Sequence, residues 1–203
     1  LIGVFFNQTL PTSIGGDAIR VIYAARAGVP TNRAVSSVLL DRVMGIIALT
    51  TISTLGQFFL DTEVKSAELQ NVVYFLLLCT IGGIFFLLTV DHLRIPLDRW
   101  KVGRFIATMA SDARSVLLSF KTTTFVFLLS LIPQVFTVTM VYLFSLDMGL
   151  NIDFGFLLVV VPVVLIITAL PVSFAGWGIR EAAMVFGLGI IGVPASSAFA
   201  LGV

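Results

Sequence analysis

The chain has 203 residues, 58% of them apolar and 11% charged, and a mean hydropathy of +1.09, whereas a soluble domain carries about a quarter charged side chains. The chain therefore belongs in a bilayer. Twelve Lys and Arg against eleven Asp and Glu leave a formal charge of +1, which excludes a nucleic-acid-binding surface, and a single cysteine, Cys79, with a single histidine, His92, excludes an internal disulfide, a zinc cluster and a Cys-His pair. No metal or cofactor is implied.

In chain order, Leu1 to Gly16 is apolar but interrupted by Pro11 and the pair Gly15-Gly16. Three uninterrupted apolar windows follow, Val43 to Leu60, Val72 to Val90 and Thr122 to Leu146, each near the ~20 residues that a spanning helix needs. Phe154 to Ile179 is long enough too, but Pro162, Pro171, Gly176 and Gly178 argue against one straight helix. Ala182 to Val203 is apolar and uncharged. The start within an apolar run and the end in an uncharged one lead us to expect a single transmembrane domain, 1–203, cut from a longer protein. The predicted fold class is all-α, a polytopic integral membrane helical bundle with broken, re-entrant elements.

Ten of the twelve basic residues cluster in two places, Arg20, Arg26, Arg33 and Arg42 before the first window and Arg94, Arg99, Lys101, Arg104, Arg114 and Lys121 between the second and third. The positive-inside rule places both clusters at the cytoplasmic side and the acidic stretch Asp61 to Asn71 outside. Within the second cluster Val102, Phe105, Ile106, Met109, Ala113, Val116, Leu117 and Phe120 recur at steps of three and four, with Lys101, Arg104, Ser111 and Asp112 opposite. This predicts an interfacial amphipathic helix over 100–120.

Leu10-Pro11-Thr12-Ser13-Ile14-Gly15-Gly16-Asp17-Ala18-Ile19-Arg20 matches Leu170-Pro171-Val172-Ser173-Phe174-Ala175-Gly176-Trp177-Gly178-Ile179-Arg180 at six of eleven positions, and Gly28-Val29-Pro30 returns as Gly192-Val193-Pro194. Two repeat elements, 10–37 and 170–198, are expected. Corresponding Gly/Pro-interrupted segments point to a transporter-like site. In each copy the proline removes a donor and the glycines allow a turn, so that a short helix starts near Gly16 or Gly178 inside the membrane, and we expect the two breaks to approach one another. Such helix starts suit anions. Arg20 and Arg180, each nine residues after its proline, add a planar fork that matches phosphate. Both also have plain alternatives, snorkelling or local pairing with Asp17 and Glu181, and Asp41-Arg42 reads as a topology anchor at the mouth of the first window.

The stretches Pro-x-Ser-x-Gly-Gly-Asp-x-x-Arg at 11–20, Leu-Asp-Arg-x-x-Gly at 40–45 and Pro-x-Ser-x-x-Gly-x-Gly-x-Arg-Glu at 171–181 resemble the lysylphosphatidylglycerol synthase transmembrane region family, a flippase-like domain found alone or before an aminoacyl-transferase domain. The resemblance implies a bacterial or archaeal cytoplasmic-membrane protein that handles phospholipid or polyprenyl-linked lipid. Its motifs fall on Ser13, Gly15, Gly16, Asp17 and Arg20, on Ser173, Gly176, Gly178, Arg180 and Glu181, and on Asp41 and Arg42 in support. The expected partner is an anionic membrane lipid, with a homo-oligomer or a partner enzyme as further possibilities. A lipid flippase or carrier is the leading function. The competitors are a membrane-embedded transferase, for which Asp17, Asp41 and Glu181 are the available bases, and a scaffold subunit without catalysis.

Overall fold

A computed structural model describes residues 15–60, 67–89, 101–169 and 178–202. These residues form eight helices and no strand, which makes the protein an all-helical bundle: α1 Gly15–Arg26, α2 Thr31–Gly56, α3 Ala67–Thr89, α4 Lys101–Leu117, α5 Phe120–Asp147, α6 Phe154–Ala169, α7 Ile179–Gly189 and α8 Ala195–Gly202. Helices α2, α3 and α5 are long and apolar enough to cross a membrane. The chain divides into two compact units, one of Leu1–Gly45 with Cys79–Ser130, the other of Ile46–Leu78 with Leu131–Val203.

In the first unit a tight turn joins α1 to α2. The Gly28 N–H bonds to the Ala25 carbonyl and the Val29 N–H to the Ala24 carbonyl, both at 3.1 Å, a Schellman closure that needs the positive φ of 92° at Gly28. Pro30 then opens α2, its carbonyl accepting the Ala34 N–H at 3.0 Å. Hydropathy predicts the span from Val43, but the helix begins at Thr31 and ends at Gly56. Arg33, Asp41 and Arg42 are therefore inside it. A hydropathy window ends at charges, whereas the backbone continues wherever the charged side chains find partners. Helix α4 occupies most of the predicted 100–120 but stops at Leu117. Phe120, assigned from sequence to its apolar face, starts α5 instead and is 84% exposed. Ala110 and Ala113 of α4 are buried, and the Arg114 guanidinium donates to the Leu88 carbonyl near the end of α3.

The second unit is built around α6. Ten of its sixteen residues are buried, Phe156, Leu157 and Val159 almost completely. Asp153 starts the helix by accepting the Phe156 N–H on its side chain at 3.0 Å. Pro162 leaves the Leu158 carbonyl without its usual helical donor, and this stretch of α6 is where α2 comes closest. Ser53 donates to the Val159 carbonyl at 3.0 Å, and a Cβ on Gly56 would sit 2.9 Å from Leu158 Cβ. Three threonine hydroxyls of α2 turn back on their own helix, Thr50 to Ile46, Thr51 to Ile47 and Thr54 to Thr50 at 2.7 to 2.9 Å, which keeps them bonded in an apolar helix. Helix α7 packs on both α6 and α8. Gly187 makes the approach to α6 possible, since a Cβ there would meet Val160 Cγ1 at 2.6 Å. Tyr142 of α5 meets Phe154 of α6 edge to face, with ring centroids 5.2 Å apart.

The outer faces of α3 and α5 are apolar. Phe75, Leu78, Phe85, Phe125, Leu128 and Phe136 are more than half exposed, a surface suited to lipid tails.

Candidate functional site

The strongest concentration of charge among the described residues lies on the α1–turn–α2 hairpin. Asp17 occupies the first turn of α1, where the helix N-terminus favours an anion, and Arg20 follows one turn later. Two antiparallel helices joined by a short turn bring residues equidistant from the turn side by side. Asp17 and Arg42, and Arg20 and Asp41, are placed in this way about Pro30.

The geometry is a crossed set of ion pairs. Arg42 donates to Asp17 Oδ2 from Nε at 2.9 Å, with Nη2 at 2.7 Å from the same oxygen. Arg20 Nη1 donates to Asp41 Oδ2 at 2.8 Å and lies 3.8 Å from Asp17 Oδ1. Asp17 is the hub and the most enclosed member at 17% side-chain exposure, against 48% for Arg20, 52% for Asp41 and 40% for Arg42. The four charges sum to zero. They sit roughly 15 Å along a helix roughly 39 Å long, at 1.5 Å per residue from Thr31.

Sequence reading gave Arg20 to phosphate binding, with a local contact to Asp17 as the plain alternative, and Asp41-Arg42 to a topology anchor or a supporting role. The structure brings all four together, and the closest carboxylate to Arg20 is Asp41. The signal available in the sequence was the mirrored charge order, Asp-x-x-Arg before the turn and Asp-Arg after it.

At the other repeat, Gly178 caps α7 with φ of 88°, and its N–H donates to Glu181 Oε2 at 2.6 Å. The carboxylate of Glu181 is thus engaged in holding the helix start. It does not pair with Arg180, and among the described residues no carboxylate lies within ion-pair distance of that half-buried arginine. Beyond α7 the turn repeats the geometry of the first. The Gly192 N–H bonds to the Gly189 carbonyl at 3.0 Å and the Val193 N–H to the Leu188 carbonyl at 3.2 Å, with φ of 76° at Gly192. The Pro194 carbonyl accepts the Ala198 N–H at 3.0 Å as α8 begins. Gly15 and Gly16 lie at the start of α1, where Gly16 is buried. Ser13, Ser173 and Gly176 lie outside the described residues, as do residues 10–14 and 170–177 of the breaks expected over Leu10 to Gly16 and Leu170 to Gly178.

The three carboxylates that could serve a transferase as general base are all bound, Asp17 and Asp41 to arginines and Glu181 to a backbone N–H. Among the described residues no group of His, Cys, Asp and Glu could hold a metal ion. What the cluster offers is guanidinium donors, part-exposed and held by carboxylates, in a chain whose long helices are built for a bilayer.

No curated protein and no solved structure matches the chain. The family model described as lysylphosphatidylglycerol synthase TM region matches residues 1–203, and the chain, an integral membrane protein with three spanning-length helices among the described residues, belongs to that flippase-like family.

Proposed function

We propose that the protein binds and moves an anionic, phosphate-bearing lipid in a bacterial or archaeal cytoplasmic membrane, with the basic stretch 91–121 facing the cytoplasm. The observation that carries this reading is the cluster on α1 and α2, where Arg42, 40% exposed, lies inside the spanning-length helix α2 and Arg20, 48% exposed, reaches the same helix from α1 by its bond to Asp41. An arginine at mid-bilayer costs at least about 2.5 kcal/mol even on lenient insertion scales, so such groups mark ligand paths. Arg20 and its counterpart in the second repeat, Arg180, are the phosphate-binding groups. The guanidinium fork matches phosphate with paired, charge-assisted hydrogen bonds. The bound state of Asp17, Asp41 and Glu181 favours transport without chemical change over a transferase.

Reconstitution into liposomes with a fluorescent anionic lipid tests the proposal. Translocation of unmodified lipid is the expected result. Arg20→Ala and Arg180→Ala should remain inserted and folded yet lose transport, with Arg→Lys only a partial substitute because it lacks the planar fork. Ala variants that are folded and transport at the parental rate overturn the assignment. Modified lipid would point to a transferase.

A further inference from the structure

We propose that Asp41 is an exchangeable counter-ion, which holds the Arg20 guanidinium until a phosphate group takes its place, while the Arg42–Asp17 pair stays closed and keeps α1 on α2. The inference rests on the reading of Arg20 as a phosphate-binding group and assigns the control of that site.

The two pairs of the cluster are chemically alike but not equally held. Arg42 grips Asp17 with two nitrogens, at 2.9 and 2.7 Å, and that carboxylate is 17% exposed. Arg20 meets Asp41 through one nitrogen and one oxygen at 2.8 Å, with the two side chains 48% and 52% exposed. A single-point pair with both partners half exposed is weakly held, whereas a pair with one enclosed partner and two donors is not easily opened. Both carboxylate contacts of Arg20 use Nη1, so the fork of five N–H donors is far from saturated. A phosphate group can take two parallel bonds from it where Asp41 takes one.

Exchange also leaves a tolerable product. Asp41, released from Arg20, is the most exposed carboxylate of the cluster, so its charge is not stranded in an enclosed place. Because the cluster sums to zero, a phosphate must compete for its arginine. Binding is weakened, and release becomes easy, which suits a carrier more than a receptor. Removing the charge of Asp41 should therefore tighten binding and slow turnover together.

The test uses the full chain in phosphatidylcholine nanodiscs, titrated calorimetrically with short-chain phosphatidic acid in one arm and inorganic phosphate in the other. Asp41→Asn should tighten binding about two- to fivefold, the range of an exposed ion pair, and lower lipid transport in liposomes. Asp41→Glu, which keeps the charge, should restore parental behaviour. Asp112→Asn, which removes the same charge from α4, should change neither. Tightening for phosphatidic acid alone identifies a lipid headgroup as the ligand, and tightening for inorganic phosphate as well identifies the free anion, with exchange upheld in both cases. If Arg20→Ala loses binding but Asp41→Asn binds no tighter than the parent, exchange is wrong and the arginine assignment stands. Equal tightening by Asp112→Asn reduces the effect to overall charge and also overturns it. If Arg20→Ala binds as the parent does, the underlying assignment fails and exchange fails with it.

Discussion

The segments α1–turn–α2 and α7–turn–α8 share a turn and differ in almost everything else. Each passes through a positive-φ glycine, closes with the same pair of backbone hydrogen bonds, and restarts after Val-Pro. The first is then joined by charge, through Arg20, Asp41, Arg42 and Asp17. The second is joined by close backbone approach, since a Cβ on Gly202 would fall 3.1 Å from the Glu181 backbone, and it is seated on α6 by a second close approach, where a Cβ on Gly187 would fall 2.6 Å from Val160. Ion pairs between part-exposed groups can be opened by a competing ion, whereas glycine-enabled backbone approach tolerates no displacement. The comparison assigns exchange to the first segment and rigidity to the second.

That contrast can be broken in several places. The largest effect is expected at Gly187→Val, where new atoms must enter the space of a stiff β-branched side chain on the most buried helix. About 3 kcal/mol of stability should be lost, seen as a lower unfolding temperature in detergent, and a Gly187→Val protein as stable as its parent would mean that α7 does not depend on the contact.

Asp17→Asn comes next. It removes the negative charge on which both Arg42 contacts rely at the enclosed end of the cluster and leaves a neutral amide there, and a loss of about 2 kcal/mol is expected from bonds between charged groups. Chemical denaturation with helicity as the signal measures it, and no loss would deny Asp17 its place as hub.

Gly28→Ala and Gly192→Ala sharpen the comparison from the other side. Neither glycine has a neighbour in the way of a new Cβ, so the penalty is backbone strain alone, about 1 kcal/mol at positive φ. The two losses should be equal, and markedly different values would show that the shared turn is not equally constrained.

The smallest effect belongs to Asp41→Asn, about 0.5 kcal/mol, fading as salt is added because the pair is exposed. A loss as large as that of Asp17→Asn would contradict the division of the cluster into a fixed pair and an exchangeable one.

Composition and apolar run length sufficed for the class of protein, because a bilayer demands helices of a certain length and greasiness and little else satisfies it. Hence Ala67–Thr89 and Phe120–Asp147 lie close to the windows read from hydropathy. The turn glycines were legible as well. Gly28 and Gly192 precede Val-Pro, a local arrangement whose hydrogen bonds lie within a few residues of each other.

Tertiary structure decided the rest. Nothing local told that α2 would carry Asp41 and Arg42 within it as members of a cluster, because their partners lie 21 and 25 residues away on another helix. Nor did the sequence distinguish Glu181, which caps its own helix, from Asp17, which gathers two arginines. A carboxylate's role depends on which donor the fold brings within about 3 Å. Hydropathy and short-range turn chemistry act along the chain, while charge pairing acts through space, and only the folded chain fixes those distances.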